Sequence, residues 1–247
     1  WFFLYCLLIN DKSIKMKKII FILSLVLTTS LYSQIPPISK NIVWEKVGLE
    51  VESGKQVYFL KLVDQFYSSI DIPDGVSVSL DALWFKSEGM KTTHYLSFSG
   101  PIEGVSKLKE LRKGSDYDIY NEETDKFSKI TSITSGSTIE RMNVDKANYP
   151  ISQMWQWSVE DPETFLNEFY KLIKGFPQEG YLSIGLISQG ASSSGETHYV
   201  YTTHKDYKSA MSWGPKTTEQ QQAFMNFQKK SNPSSDYLGT TTLYSVK

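Results

Sequence analysis

Apolar and polar residues follow two different spacings along this chain, and the two spacings occur twice in the same order. Residues 41–51 (NIVWEKVGLEV) and 152–159 (SQMWQWSV) alternate in the way that is typical of β-strands. Each is followed by a segment, 53–69 or 160–175, whose apolar residues recur at helical spacing. The apolar stripes of these predicted helices are Phe59, Leu62, Val63, Phe66 and Tyr67 in the first, and Leu166, Phe169, Tyr170 and Ile173 in the second.

The second predicted helix has a clear start and a clear end. Asp161 can accept hydrogen bonds from the first free backbone N–H groups, and Pro162 suits the first helical position. Glu163 complements the positive end of the helix dipole, and Gly175 favours termination. These residues predict a helix between Asp161 and Gly175.

Each half of the chain then continues with two strands, a helical stretch and a closing strand. The strands are predicted over 75–86, 92–100 and 137–144 in the first half, and over 180–190, 196–204 and 239–246 in the second. The helical stretches are 101–114 and 205–214. The second half adds a helix over 217–230, where Thr218 and Gln221 fit a capping box.

The order strand, helix, strand, strand, helix, strand therefore occurs twice, with Trp44 aligned to Trp155 and His94 to His198. It is the order of the ferredoxin-like, or split βαβ, unit, in which helices cover one face of an antiparallel sheet. We predict an α+β protein with one such unit over 41–146 and another over 151–247. Because each sheet has an uncovered apolar face, we expect the two to pack sheet to sheet, face to face, as a pseudo-dimeric α/β barrel within one monomeric chain.

Two segments also resemble a known group of proteins. LEVESGKQVYFLKLVDQF, residues 49–66, is similar to the first strand, turn and helix of dimeric α/β-barrel proteins of the antibiotic-biosynthesis monooxygenase type. THYVYTTHKDYKSAMSW, residues 197–213, resembles their third strand and the helix after it. The resemblance extends over nearly all of 41–247 as a pattern of elements. It implies a fold that hosts cofactor-free oxygenases, isomerases, haem proteins and members without known activity, mostly as homodimers of single units.

The first 33 residues have the features of a secretory leader. Met16 is followed by two lysines, the apolar run IIFILSLVL at 19–27, and small residues. We expect cleavage before Gln34, with residues 1–15 as an upstream extension. The mature protein is then secreted or periplasmic without a stable membrane anchor, because neither apolar stretch reaches the ~20 residues of a spanning helix.

Composition argues against several classes of site. The only cysteine, Cys6, precedes Met16, so the mature chain has no disulfide, cysteine–metal site or cysteine nucleophile. Loss of residues 1–33, with four lysines and one aspartate, changes the formal net charge from −1 to −4. The remaining lysines are interspersed with acids, which argues against binding to nucleic acid. The sequence also lacks the common nucleophile-elbow, zinc-protease, phosphate-loop and dinucleotide motifs.

The chain has three histidines, His94, His198 and His204. His198 and His204 are about 20 Å apart along an unbroken strand, so they cannot share a metal ion. His94 and His198 share a Thr-His-Tyr sequence, and they either face each other across the barrel or are hydrogen-bonded at the starts of their strands. No acidic residue lies at a spacing that completes a metal site, so we predict none. A haem protein of the resembled type needs an axial histidine on a helix, whereas His204 only precedes one.

Aromatic side chains on the strands are the strongest candidates for a binding site. In a barrel some of them must point into the central space, where they either line a pocket for a flat or apolar ligand or fill the space completely. The candidate ligand-binding residues are Trp44, Trp84, Tyr95, Trp155, Tyr199 and Tyr201, and the candidate catalytic residues are His94, His198 and Asp81.

Together these features favour a secreted or periplasmic protein that binds a small hydrophobic or aromatic molecule, or a partner protein, in an aromatic-lined barrel and without a cofactor. One alternative is a cofactor-independent monooxygenase or isomerase in which His94, His198 and Asp81 transfer protons. Another is a haem-binding tandem protein, and a third is an interaction protein with a filled barrel. The sequence leaves open whether the protein is an enzyme.

Overall fold

Within residues 42–176, 178–191 and 194–246, which the computed structural model describes, the chain forms eight β-strands and six α-helices. The first half contains β1 (Ile42–Val51), α1 (Gln56–Ser69), β2 (Ser77–Phe85), β3 (His94–Pro101), α2 (Ile102–Leu111), α3 (Ser115–Asp125) and β4 (Ser128–Met142). The second contains β5 (Ile151–Val159), α4 (Pro162–Gly175), β6 (Leu182–Gln189), β7 (His198–His204), α5 (Tyr207–Met211), α6 (Thr218–Ser231) and β8 (Ser235–Ser245).

The strands form one closed antiparallel barrel in the order β1-β3-β2-β8-β5-β7-β6-β4. The halves meet where β2 pairs with β8, as at Asp81 and Ser245, and where β4 pairs with β6, as at Gly136 and Ile187. The expected α+β class and barrel are thus present. The expectation of two separate sheets packed face to face is corrected, because the edge strands satisfy their free N–H and C=O groups by pairing across the halves.

The strand registers define which residues of the two halves are equivalent. Gly48 pairs with Tyr95 in the first half, as Gln156 pairs with Tyr199 in the second. His94 is therefore equivalent to His198, as the sequence predicted. The predicted alignment of Trp44 with Trp155 is wrong, because the register makes Val47 the equivalent of Trp155.

Two apolar cores lie between the outside of the barrel and the helices. In the first, Phe59 and Val63 of α1 pack on Leu96 and Phe98 of β3. In the second, α4 packs on β6 and β7, with Ile184 at the centre. The apolar α4 residues that are buried are Phe165, Phe169, Leu172 and Ile173, whereas the predicted Leu166 and Tyr170 are only partly buried. The predicted stripe is therefore rotated by about one position, because α4 also packs against α6.

The sequence missed one helix and half of one strand. The α3 helix is strongly polar, and only Tyr120 and Thr124 of it are buried, so its apolar spacing is too weak to identify. The β4 strand begins at Ser128 instead of the predicted 137. Its early isoleucines, Ile130 and Ile133, are exposed and do not alternate with polar residues.

The helix starts agree with the sequence at one position and differ at another. The Asp161 carboxylate accepts a hydrogen bond from the backbone N–H of Thr164 at 3.1 Å, as predicted for an N-cap. Helix α6 begins one residue earlier than its predicted capping box. Its N-cap is Thr217, whose hydroxyl accepts from the backbone N–H of Gln220.

Residues 41–247 form one compact unit. The predicted leader, residues 1–33, lies outside the described residues. In the part of the chain that is described, no helix is both long and apolar enough to cross a membrane.

Candidate functional site

The inner surface of the barrel follows from strand alternation. Residues that pair across neighbouring strands share a face, and the face opposite the helices points to the barrel axis. Trp44 and Lys46 of β1 therefore point inward, together with their partners Ser99 and Ser97 of β3. The other inward positions include Ser79 and Asp81 on β2, Tyr95 on β3, Thr134, Gly136 and Thr138 on β4, Ser152 and Met154 on β5, Ser183, Gly185 and Ile187 on β6, Tyr199 and Tyr201 on β7, and Thr241 on β8.

An aromatic wall lies on one side of this interior. Trp44 packs edge-on against Tyr199, with ring centroids 5.4 Å apart, and both contact an interior cluster that contains Met154 and Ile187. The Tyr199 hydroxyl is hydrogen-bonded to the hydroxyl of Thr138 at 2.9 Å. Burial raises the pKa of Tyr199 to about 12, so this phenol stays neutral and acts as a hydrogen-bonding group.

Two glycines make room for these rings. A Cβ atom at Gly136 would lie 1.9 Å from the backbone oxygen of Leu186 and 2.5 Å from Cζ2 of Trp44. One at Gly185 would lie 2.2 Å from the backbone oxygen of Ser137 and 2.7 Å from the hydroxyl oxygen of Tyr199. Glycine at these positions therefore lets both the neighbouring strand and the ring come close.

Lys46 carries a positive charge to the centre of the barrel. Its Nζ donates a hydrogen bond to Sδ of Met154 at 2.8 Å and lies 4.6 Å from the centroid of the Tyr95 ring. Burial lowers the pKa of Lys46 to about 8, although Asp81 and Glu196 act in the opposite direction. Desolvation thus outweighs the attraction of the two acids.

Asp81, on β2, is an inward-facing carboxyl group that interacts electrostatically with Lys46. Burial raises the pKa of Asp81 to about 6, although a hydrogen bond from the Ser79 hydroxyl, at 3.2 Å, and the charge of Lys46 both favour the ionised form. Burial also raises the pKa of Tyr201, and the negative charge of Asp81 adds to that effect. A carboxyl group that titrates close to neutral pH can accept or donate a proton.

Glu196 reaches the same interior from the segment before β7. Its side chain is buried, at 8% exposure, and its charge acts on both Lys46 and Tyr95. The interior therefore contains one cation, Lys46, and two acids, Asp81 and Glu196, whose charges act on it. On the outer face of β1, by contrast, Glu45 bonds directly to Lys109 and Arg112.

Some inward side chains keep solvent-accessible surface. Lys46 and Tyr201 are only partly buried, and so is Ser97, the partner of Lys46 on β3. Inward positions on three strands, β1, β3 and β7, are therefore reached by solvent-sized molecules.

The structure separates the predicted histidines from this interior. His94 and His198 lie on the outer, helix-covered face, against Phe59 at 6.1 Å and Phe165 at 5.7 Å between ring centroids. Burial lowers the pKa of both histidines. Successive residues of a strand point to opposite faces, and Tyr95 and Tyr199 point into the barrel. The histidine before each of them therefore points outward, so the two histidines do not face each other across the barrel axis.

Each of these histidines belongs to a repeated backbone junction. The hydroxyl of Thr93 accepts from the Val51 N–H at 2.9 Å and contacts Nδ1 of His94 at 2.9 Å. In the second half Thr197 makes the same two contacts, with Val159 and with Nδ1 of His198, at the same distances. The shared Thr-His sequence therefore holds the start of a strand against its neighbour.

His204 also lies on the outer face. Its Nε2 contacts the hydroxyl of Thr202 at 3.0 Å, and burial lowers its pKa despite the nearby Asp206. None of the three histidines lies on a helix. His198 keeps a buried Nε2 without a hydrogen-bond partner among the described residues, but helix α4 covers it. These positions do not fit an axial haem ligand.

Two predicted tryptophans also lie outside the barrel. Trp84 is 46% exposed and packs against Tyr207 at 5.0 Å between ring centroids. Trp155 packs against Trp213 at 4.9 Å, under the helices of the second half. Of the predicted site residues, the structure brings together Asp81 and four aromatics, which are Trp44, Tyr95, Tyr199 and Tyr201.

Sequence reasoning missed Lys46, Met154 and Glu196. Lys46 lies two residues after Trp44 on a predicted strand, so placing the tryptophan inside also implied an inward lysine. Met154 and Glu196 carried no comparable signal, since methionine is an ordinary core residue and Glu196 precedes its strand. No group of three or more histidine, cysteine or acidic side chains that could hold a metal ion occurs among the described residues.

Several solved structures share this fold. A candidate monooxygenase from Lactobacillus acidophilus NCFM matches with a TM-score of 0.54 and 14% identity, over 83% of this chain and 94% of that one. An anthrone oxidase-like protein matches with a TM-score of 0.51 and 10% identity, over 84% and 92% of the two chains. A candidate chlorite dismutase matches with a TM-score of 0.52 and 9% identity, over 84% and 96%.

These likenesses establish the fold, which is of the dimeric α/β-barrel type that the resemblance implied. At such low identities they establish nothing about activity. No protein-family model matches the sequence, and no curated protein matches it.

Proposed function

We propose that this chain is a tandem ferredoxin-like protein that binds a small, flat or aromatic molecule inside its barrel. The observation that carries the proposal is the convergence of Trp44, Tyr95, Tyr199 and Tyr201 on an interior that retains accessible surface. Aromatic walls around an open centre suit a flat ligand, because rings bury large apolar areas with few conformational losses.

The tandem arrangement in this proposal is supported by the strand order. The first half has the order β4-β1-β3-β2 and the second has β8-β5-β7-β6, so corresponding strands occupy corresponding places. The proposal also places the mature protein outside the cytoplasm, from Gln34 onward, on the basis of the lysine-flanked apolar run that follows Met16. N-terminal sequencing of the protein recovered from culture medium or periplasm tests that part.

The binding site can be tested with two neutral probes of different size, benzamide and naphthalene-2-carboxamide. Binding should quench the fluorescence of Trp44 and be lost in Ser97→Tyr, which places a second tyrosine at the position equivalent to Tyr201 and fills the interior. The control is Trp84→Ala, since Trp84 lies outside the barrel. Binding that survives Ser97→Tyr, or that is lost in Trp84→Ala, would place the ligand elsewhere.

A second candidate function is that of a cofactor-independent monooxygenase or isomerase. It is favoured by Asp81, a buried carboxyl group with a pKa near 6 beside the Lys46 ammonium, which is suited to remove a proton from a bound phenol or enol. Lys46 would stabilise the resulting anion. The histidines have no part in this version, because they lie on the outer face.

Oxygen uptake and product analysis with a bound aromatic ligand test this candidate. Asp81→Asn should abolish turnover while the ligand still binds, because the amide keeps the shape of the side chain and loses the base. Equal turnover in Asp81→Asn and the unmodified protein would exclude the role of Asp81. A Soret band after addition of haem, lost in a histidine variant, would instead support the haem alternative.

A further inference from the structure

The donor groups inside the barrel lack acceptors. The Lys46 ammonium has three N–H groups, and among the described residues its only hydrogen-bond partner is the thioether of Met154, a weak acceptor. Trp44, two residues earlier on the same face of β1, packs edge-on against Tyr199, and its buried indole N–H interacts with the Tyr199 side chain without forming a hydrogen bond of ordinary geometry. Buried polar groups are normally hydrogen-bonded, so the Lys46 ammonium in particular needs an acceptor-rich partner.

The protein supplies no anion that completes this arrangement. The charges that act on Lys46 are Asp81 of β2 and Glu196 from the segment before β7, and neither forms an ion pair with it within 4 Å among the described residues. Tyr95 of β3 offers the ammonium only the face of its ring. The cation is therefore desolvated and held by aromatic and sulfur contacts, which leaves its strongest interaction to a bound molecule.

Among the inward strand positions, the charged groups lie in the first half. Equivalent positions in the two halves hold Lys46 and Met154, and likewise Asp81 and Gly185. Next to Lys46, the cluster of Met154, Ile187 and Tyr199 is aromatic and apolar. A ligand that contacts both Lys46 and this cluster has an ionised head and a flat apolar body.

We propose that the barrel binds a small aromatic acid as its anion, with the ionised oxygen atoms on the ammonium of Lys46 and the ring against the aromatic wall of Trp44 and Tyr199. This inference rests on the proposed function and adds the chemical class of the ligand. Asp81 becomes protonated when the anion is present, because a second negative charge beside it disfavours its ionised form. One proton is then taken up for each anion bound.

Matched pairs of acid and amide test the proposal, with benzoate against benzamide and 2-naphthoate against naphthalene-2-carboxamide, titrated by calorimetry at pH 7. The acid of a pair should bind about 10- to 100-fold more tightly than the amide, the range expected for a desolvated, charge-assisted hydrogen bond. Repetition in buffers of different ionisation enthalpy should show uptake of about one proton per acid bound, by linkage, and no uptake with the amide.

Lys46→Met should remove the preference for the acid, so that the acid and the amide of a pair bind with similar affinity. Lys91→Met, in an exposed loop, is the matched control and should leave the preference intact. For the unmodified protein, the preference should decline steadily as the pH rises above about 8, where Lys46 loses its proton in the unliganded protein. This pH series uses only the unmodified protein, so its result does not depend on whether a variant folds.

The outcomes separate this inference from the function on which it rests. Equal binding of acid and amide, a preference that persists in Lys46→Met, or one that does not decline above pH 8 would overturn the anion assignment and leave the barrel site in place. If neither member of either pair binds, the barrel site itself is wrong. An acid preference lost in Lys46→Met, with amide binding kept, supports both.

Discussion

Replacing Lys46 by methionine should stabilise the folded protein at neutral pH, even though it removes a polar contact. The substitution gives position 46 the residue that its equivalent position, 154, already has. A methionine side chain is similar in length and flexible enough to occupy the same space between Met154 and the Tyr95 ring. The main change is the loss of a buried charge.

The magnitude follows from the pKa of Lys46, which burial lowers from 10.5 to about 8. At about 1.36 kcal/mol per pKa unit, this difference means that carrying the proton in the folded state costs about 3 kcal/mol. The contact of the ammonium with the Tyr95 ring offsets about 1 kcal/mol of that cost. The expected net gain in the free energy of unfolding is therefore about 2 kcal/mol.

The gain should depend on pH in a defined direction. Below about pH 8 the lysine is charged in both the folded and the unfolded states, so the full cost is present. Between about 8 and 10.5 the unfolded state binds more protons than the folded state, so the unmodified protein becomes relatively more stable as the pH rises. The advantage of Lys46→Met should therefore shrink across this range.

Urea denaturation followed by tryptophan fluorescence measures the effect. With a slope of about 2 kcal/mol per molar urea, the midpoint of Lys46→Met should rise by about 1 M at pH 7 and by much less at pH 10. Lys91→Met, at an exposed position, should change the midpoint little. A lower midpoint for Lys46→Met at pH 7, or a gain that does not shrink with pH, would refute the assignment of Lys46 as a desolvated cation.

Four further substitutions test the packing, each by the same denaturation measurement. Thr93→Val and Thr197→Val should each destabilise the fold by about 2 kcal/mol, because each leaves a backbone N–H without its acceptor; a change in only one half would contradict their equivalence. Gly185→Ala should cost about 2 kcal/mol or more, since its Cβ would overlap Tyr199, and an unchanged midpoint would show that the wall can move. Tyr67→Phe should be neutral or stabilise by about 1 kcal/mol, because the buried hydroxyl has no partner among the described residues, and a marked loss would mean that the hydroxyl is bonded.

Most of the fold could be predicted because local spacing and tertiary packing agree in it. The β1 strand and α1 helix carry regular apolar stripes, and the structure places them within a few residues of the predicted bounds. The same reasoning failed at α3, where only Tyr120 and Thr124 are buried. It failed again at the start of β4, whose inward positions are Ser132, Thr134 and Gly136, because a strand that lines an open interior need not alternate with apolar residues.

The site was less predictable because it depends on which face of each strand turns inward. The apolar residues Trp44 and Trp155 both lie on predicted strands, yet the first points into the barrel and the second points to the helices. Aromatic residues suit either environment, so hydrophobicity does not distinguish them. Lys46 could have distinguished the two tryptophans. It lies two residues after Trp44 on the same face of β1, and a lysine on that face argues against its being covered by a helix.

The repeat itself indicates where function should be sought. Residues that match between the halves, such as Thr93 with Thr197 and His94 with His198, form the same contacts on the outside of the barrel. They maintain a geometry that both halves need. Residues that differ at equivalent inward positions, such as Lys46 opposite Met154, give the interior its polarity. If the barrel binds a ligand as proposed, specificity for that ligand should lie in the mismatched pairs and stability in the matched ones.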